Sequence, residues 1–283
     1  MVVTNRPTSH AGPGYGLVAG MSCGFVVLLA LIWYTFLRYP AAVAGSGTGP
    51  RASLPILLGD SSARIAYLAL GAGIALLYIG VAALGARANQ STGERPWRAG
   101  ALFALIGGGV WLTLSVATKF FPLLEPVSAP SVLLILILPA LAGLREARRA
   151  GDLATGALAG FWCGVTQAVI LGILVIALDH LFVGVLLRTS WAHDHLCAAH
   201  TGDALAACEM SDDLGFVATT LVLMPLLGWL FGVVGGAFGL ALRSGATTAP
   251  PSATRTTNRL LAPALFSGAL AAIFVAELIW NLW

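Results

Sequence analysis

Side chains able to do chemistry are concentrated between Arg188 and Asp213, which holds His193, Asp194, His195, Cys197, His200, Asp203, Cys208, Glu209, Asp212 and Asp213. Two kinds of chemistry fit. Cys197 and Cys208 have the separation of a short disulfide loop, worth roughly 2 to 3 kcal/mol by chain entropy if the segment faces an oxidising exterior. On a helix, His193, Cys197 and His200 would instead stand at i, i+4 and i+7 on one face, and imidazole with thiolate suits zinc or copper. Gly202 interrupts such a helix and exterior cysteines usually pair, so the disulfide is the stronger expectation. Cys23 and Cys163, inside apolar runs, read as inert small residues.

Elsewhere the ionisable residues near the ends of apolar runs are Lys119, Asp179, His180 and Glu277. Such a group within hydrocarbon is expensive and is a functional hypothesis by default. The bland alternative is that each sits at headgroup level, snorkelling or solvated. Lys119, beside Phe120 and Phe121, fits the bland reading, and Glu277 is balanced between the two. Asp179-His180 leans toward function, because Leu181 to Leu187 continue the apolar run beyond it. Together the four would line a crevice open to the exterior. Gln167 reads as an interhelical hydrogen-bonding group.

The elements that must position these residues follow from composition. The 283 residues are 58% hydrophobic and 10% charged, with a mean hydropathy of +0.88. A water-soluble domain carries about 25% charged residues, so the chain reads as a single integral membrane domain over 1–283. A net charge of +3, from 15 basic and 12 acidic residues, gives no electrostatic footprint for nucleic acid.

A bilayer core requires about 20 apolar residues per helix. Seven stretches qualify, or nearly so: Tyr15 to Leu37, Ile65 to Gly85, Ala99 to Phe120, Val127 to Leu144, Ala154 to Leu187, Leu214 to Leu242 and Leu260 to Asn281. The predicted fold is thus an all-α polytopic bundle. Pro139 predicts a kink in the fourth span, and the fifth is long enough to tilt, protrude or break. A secretory signal ending at Ala42-Val43-Ala44 is the alternative for the first span, whose length favours retention.

Arginines set the orientation. Arg6, Arg87, Arg95, Arg98, Arg145, Arg148, Arg149, Arg243, Arg255 and Arg259 fall on one side, and Arg38, Arg51, Arg64, Lys119 and Arg188 on the other. The positive-inside rule then puts the amino terminus in the cytoplasm and the carboxyl terminus outside. The Cys/His-rich segment 188–213 becomes an exoplasmic loop and 243–259 a cytoplasmic linker, in the cell (inner) membrane. Arg145-Glu146-Ala147-Arg148-Arg149 fixes topology, with contact to anionic lipid as a secondary use.

Glycines recur every four residues at Gly16, Gly20 and Gly24, at Gly156, Gly160 and Gly164, and at Gly228, Gly232 and Gly236, with Gly235 and Gly239 as a second row and Ala264, Gly268 and Ala272 in the last span. This spacing flattens one helix face and lets two backbones touch. The rows lie mainly toward the predicted cytoplasmic ends, so the helices should converge there and splay outward.

Several functions are excluded. Lys119 is the sole lysine, so no retinal Schiff base can form in the last span. Only His180 of the histidines falls in a span, which leaves a bis-histidine haem unsupported, and no nucleotide-binding or hydrolase motif is present. No cofactor is predicted. The favoured function is a non-catalytic accessory or scaffold subunit whose partners are the lipid bilayer and other membrane subunits. A small-solute or ion permease with an outward crevice is second and a membrane-embedded enzyme third.

Overall fold

The computed structural model describes residues 15–39, 65, 68–81, 83, 96–120, 125–186 and 202–244. They form helices α1 (Tyr15–Arg38), α2 (Leu68–Val81), α3 (Pro96–Phe120), α4 (Glu125–Ala150), α5 (Leu153–Leu186) and α6 (Gly202–Ser244). The architecture is an all-helical bundle in which α1, α3, α5 and α6 are long and apolar enough to cross a membrane. The predicted seventh span, Leu260 to Asn281, lies outside the described residues.

α5 is the central helix. In its most apolar stretch 72% of residues are buried inside the bundle, against 28 to 39% for the other three long helices. A helix apolar on all sides can be buried on all sides, and the small residues of α5 make close approach cheap. Around it, α1 presents Met21, Phe25, Leu28, Ile32 and Phe36, a helical stripe that packs with Ile74 and Tyr78 of α2 and Leu214, Val217 and Leu221 of α6. A second cluster joins Ala104 of α3, Leu138 and Ala142 of α4, and Ala159 and Cys163 of α5. The opposite face of α1 leaves Val26, Trp33, Tyr34 and Leu37 exposed.

The α4–α5 hairpin is closed by two residues with distinct jobs. Gly151 adopts φ +73 and its N–H donates to Ala147 O at 2.8 Å, ending α4 in the left-handed geometry that glycine tolerates. Asp152 then caps α5: its carboxylate accepts from the amides of Ala154 at 3.3 Å and Thr155 at 3.2 Å, and from the Thr155 hydroxyl at 3.0 Å.

Two boundaries differ from the sequence reading, and the length of α5 is accommodated by a break. α4 extends to Ala150 rather than stopping at Leu144, because Arg-Glu-Ala-Arg-Arg-Ala is a strong helix-forming sequence. α6 begins at Gly202 rather than Leu214, so the segment taken as a loop to 213 is helical from Gly202 onward. Polar Glu209, Asp212 and Asp213 end the apolar run without ending the helix, since Leu205, Ala206, Ala207 and Met210 are buried. α5 spans 34 residues, about 51 Å at 1.5 Å per residue, and its continuity is broken at Phe182 (φ −113, ψ 20).

Glycine spacing acquires partners in the structure. Gly156, Gly160 and Gly164 of α5 meet the backbone of its neighbours: a Cβ on Gly156 would lie 2.8 Å from Gly143 O, one on Gly228 2.5 Å from Gly160 O, and one on Gly232 2.8 Å from Gly160 Cα. Helices α4, α5 and α6 therefore touch backbone to backbone around Gly143, Gly156 and Gly232. Gly236 faces Leu153, with Cδ1 at 3.0 Å, whereas Gly235 and Gly239 press on the Ala140 and Leu144 carbonyls of α4. In α1, only Gly24 meets another helix closely, at Val169; Gly16 reaches Trp97 at 4.0 Å and Gly20 faces open space.

Candidate functional site

Two sets of polar groups inside the bundle bridge helices, one explained by proline. Pro139 and Pro225 each lack an N–H, which strands the carbonyl four residues earlier. In hydrocarbon such a carbonyl must find another donor. Ile135 O, stranded by Pro139, accepts from Gln167 Nε2 of α5 at 3.3 Å. Leu221 O, stranded by Pro225, accepts from the hydroxyl of Tyr78 of α2. Gln167 is 1% and Tyr78 0% exposed, so water has no access to serve instead. Each proline thus calls for a polar side chain on a neighbouring helix.

These two donors should differ in worth. Tyr78→Phe removes only the hydroxyl and leaves Leu221 O buried and unmet, so a loss of about 1 to 3 kcal/mol is expected. Gln167→Leu should cost less, about 1 kcal/mol, because Gln167 Oε1 is itself buried with no hydrogen-bond partner and its removal offsets part of the penalty. Thermal melts of the two variants in detergent check the order.

The second set is the candidate site. It gathers the last turn of α1, the end of α5 before Phe182, and the early turns of α6. His180 Nε2 and Thr35 Oγ1 are 2.9 Å apart, while the Thr35 hydroxyl donates to Leu31 O at 2.9 Å. With its one hydrogen so used, Thr35 accepts from the imidazole, which therefore carries a proton on Nε2. The ring lies edge-on to Tyr34 at 4.8 Å and stacked on Tyr39 at 5.8 Å. Arg38 sits over Tyr39, its Cζ 5.3 Å from the ring centroid, and Tyr39 packs on Ala206, Ala207 and Met210 of α6.

Beside His180, the Asp179 side chain is hydrogen-bonded to Asp213 of α6, with Asp212 and Glu209 close enough to act on the pair electrostatically. Asp179 is 5% and Glu209 3% exposed. A hydrogen bond between two carboxyls requires one of them to hold the proton. The site thus joins α5 to α6 through a pair of carboxyls, next to an imidazole that ties α5 to α1. Among the described residues no three His, Cys, Asp or Glu side chains are grouped as a metal site.

Of the residues singled out by sequence, Asp179 and His180 are brought together here, joined to one another's neighbours through α1 and α6. The Lys119 side chain, Glu277, His193, Cys197 and His200 lie outside the described residues. Cys23 and Cys163 are free thiols. The sequence reading missed Thr35, Tyr39 and Tyr78. A donor opposite Pro225 was inferable in kind, since its stranded carbonyl demands one, but not in identity. No protein family, curated protein or solved structure matches the chain.

Proposed function

We propose that this chain is a non-catalytic integral membrane subunit that serves as a rigid frame for a larger membrane assembly. The observation that carries the reading is the junction of α4, α5 and α6, where Gly143, Gly156 and Gly232 leave no side chain between the backbones. Toward the other end of the bundle the same central helix is tied again, through Asp179 to α6 and His180 to α1. A transporter of the rocking kind moves one body against another, whereas α5 here is held along its length by both neighbours.

Native mass spectrometry after gentle extraction from the chain's own membrane tests this. A stoichiometric protein partner is expected. Recovery as a solitary chain that drives solute flux in proteoliposomes would replace the frame with the permease reading, which the buried carboxyl of Asp179 and the half-buried Asp213 and His180 beside it favour.

The orientation goes with this proposal. At one end of the bundle lie Arg98, Arg145, Arg148, Arg149 and Arg243 with Glu146 and Asp152, and at the other Asp179, Glu209, Asp212 and Asp213 with Arg38. That asymmetry supports a cytoplasmic arginine end in the cell membrane. In a variant lacking the native cysteines, a cysteine placed at Arg148 should resist an impermeant thiol reagent in intact cells; rapid labelling would invert the assignment. We also propose Cys197 as the partner of Cys208. Peptide mapping without reduction should recover the two as one cross-linked species, and mapping Cys208 to any other thiol would overturn the pairing.

A further inference from the structure

We propose that acidity controls how the carboxyl-rich end of the bundle is closed. The Asp179–Asp213 pair fastens α6 to α5 while it holds a proton, and loss of that proton frees the first turns of α6, from Gly202 to Asp213. Two carboxyls bond to each other only with a hydrogen between them. One proton, or two, therefore maintains the bond between α5 and α6; with none, the same oxygens face each other as anions. The latch shares its residues with the frame proposed above but needs no partner subunit.

The charges that act on Asp213 share its sign: Asp179 from α5, and Asp212 and Glu209 from α6. Asp179 and Glu209 are 5% and 3% exposed, so water screens them little. Arg38 is the only charged residue of α1; it lies over Tyr39 and acts on His180. Residues 68–81 of α2 carry no charge. His180, next to Asp179, is the other group able to titrate, and its Nε2 is 2.9 Å from Thr35 Oγ1. The packing around the early turns of α6 is small. Leu205, Ala206, Ala207 and Met210 are buried, the last three against Tyr39 with Val183 at the edge. The larger core takes its α6 members only from Leu214 onward. Asp213 thus stands where the small cluster gives way to the core, and on the facing helix the break at Phe182 follows Asp179 within a turn. Neither helix is stiffened by the core beyond the pair, so the bond between them decides whether the end stays closed.

Hydrogen exchange of the full-length protein in detergent, read by mass spectrometry between about pH 5 and 9 and corrected for the intrinsic rate at each pH, provides the test. Protection of peptides within 203–213 should fall at least about tenfold as the pH rises, the smallest effect expected for losing a hydrogen bond that involves a charged group. Peptides within 216–240 should keep theirs. In D213N an amide donates to the Asp179 carboxylate with no titratable hydrogen, so protection should be high and flat across the range; D179N offers the same donor from α5 if D213N fails to fold. H180Q should retain the pH response. A flat profile in the unaltered protein would overturn the proposal. So would a response that survives in folded D213N or D179N, or one that H180Q abolishes, which would assign the titration to the imidazole. Recovery of the chain from its membrane without a partner would remove the frame reading and leave these profiles unchanged.

Discussion

Gly232→Leu is expected to abolish stable folding of the bundle or to lower its melting temperature by roughly 6 to 12 °C. Overpacking a core typically costs about 1 to 3 kcal/mol, and a protein of this size shifts by about 2 to 4 °C per kcal/mol. The upper end applies here because the obstacle is backbone. A Cβ at Gly232 already comes within 2.8 Å of Gly160 Cα, 3.0 Å of Gly156 O and 3.1 Å of Ala157 O. None of these can rotate aside as a side chain does, so α5 and α6 must separate, which opens the contact of both with Gly143 of α4. Gly20→Leu is the matched control. Nothing lies within 4 Å of its Cβ position, and its melt should stay within about 0.5 kcal/mol of the parent, as for other surface changes. Equal melting of the two variants would show that the α5–α6 contact does not hold the bundle.

That pair also shows what the sequence could convey. Gly20 and Gly232 belong to rows of identical spacing, and spacing reports only that a helix face is flat. Whether a second flat face arrives opposite depends on which helix becomes central. Gly160 and Gly232 meet because α5 is buried on all sides, while Gly20 sits on an outer helix with one buried stripe. The same division applies to the prolines. Pro139 and Gln167 were each legible, one as a kink and one as an interhelical hydrogen bond, but their connection through Ile135 O required the helices to be side by side. Tyr78 carried no local signal, because a tyrosine within an apolar run looks the same whether its hydroxyl meets a stranded carbonyl or a headgroup.

The candidate site was legible by half for a related reason. Asp179-His180 stood out because hydrocarbon penalises it. Its partners did not. Thr35 is an ordinary residue near the end of α1. Asp213 lies where the apolar pattern breaks, a place that sequence reads as a helix start and that the structure shows to be mid-helix. The break in pattern marks not the edge of α6 but the level at which α6 turns carboxyls toward α5.

Because Asp179 is buried and bonded across two helices, its replacement tests structure before it tests function, and a double-mutant cycle separates the parts. Asp179→Ala and Asp213→Ala should each destabilise by about 1.5 to 3 kcal/mol, the range for hydrogen bonds involving charged groups. The double variant should lose little more than either single one, giving a coupling energy of about 1 kcal/mol or more. Additive losses would mean that the two carboxyls do not hold α5 and α6 together. Asp213→Asn then isolates the proton. Its amide donates to the Asp179 carboxylate without needing a shared proton, so the melt should be close to that of the parent. If Asp213→Asn is stable yet the chain no longer recovers its partner from the membrane, the titratable carboxyl is retained for more than the α5–α6 contact. If Asp213→Asn is as unstable as Asp213→Ala, an amide cannot stand in for the protonated carboxyl, and the pair is held together by a geometry that only two acids sharing one hydrogen can satisfy.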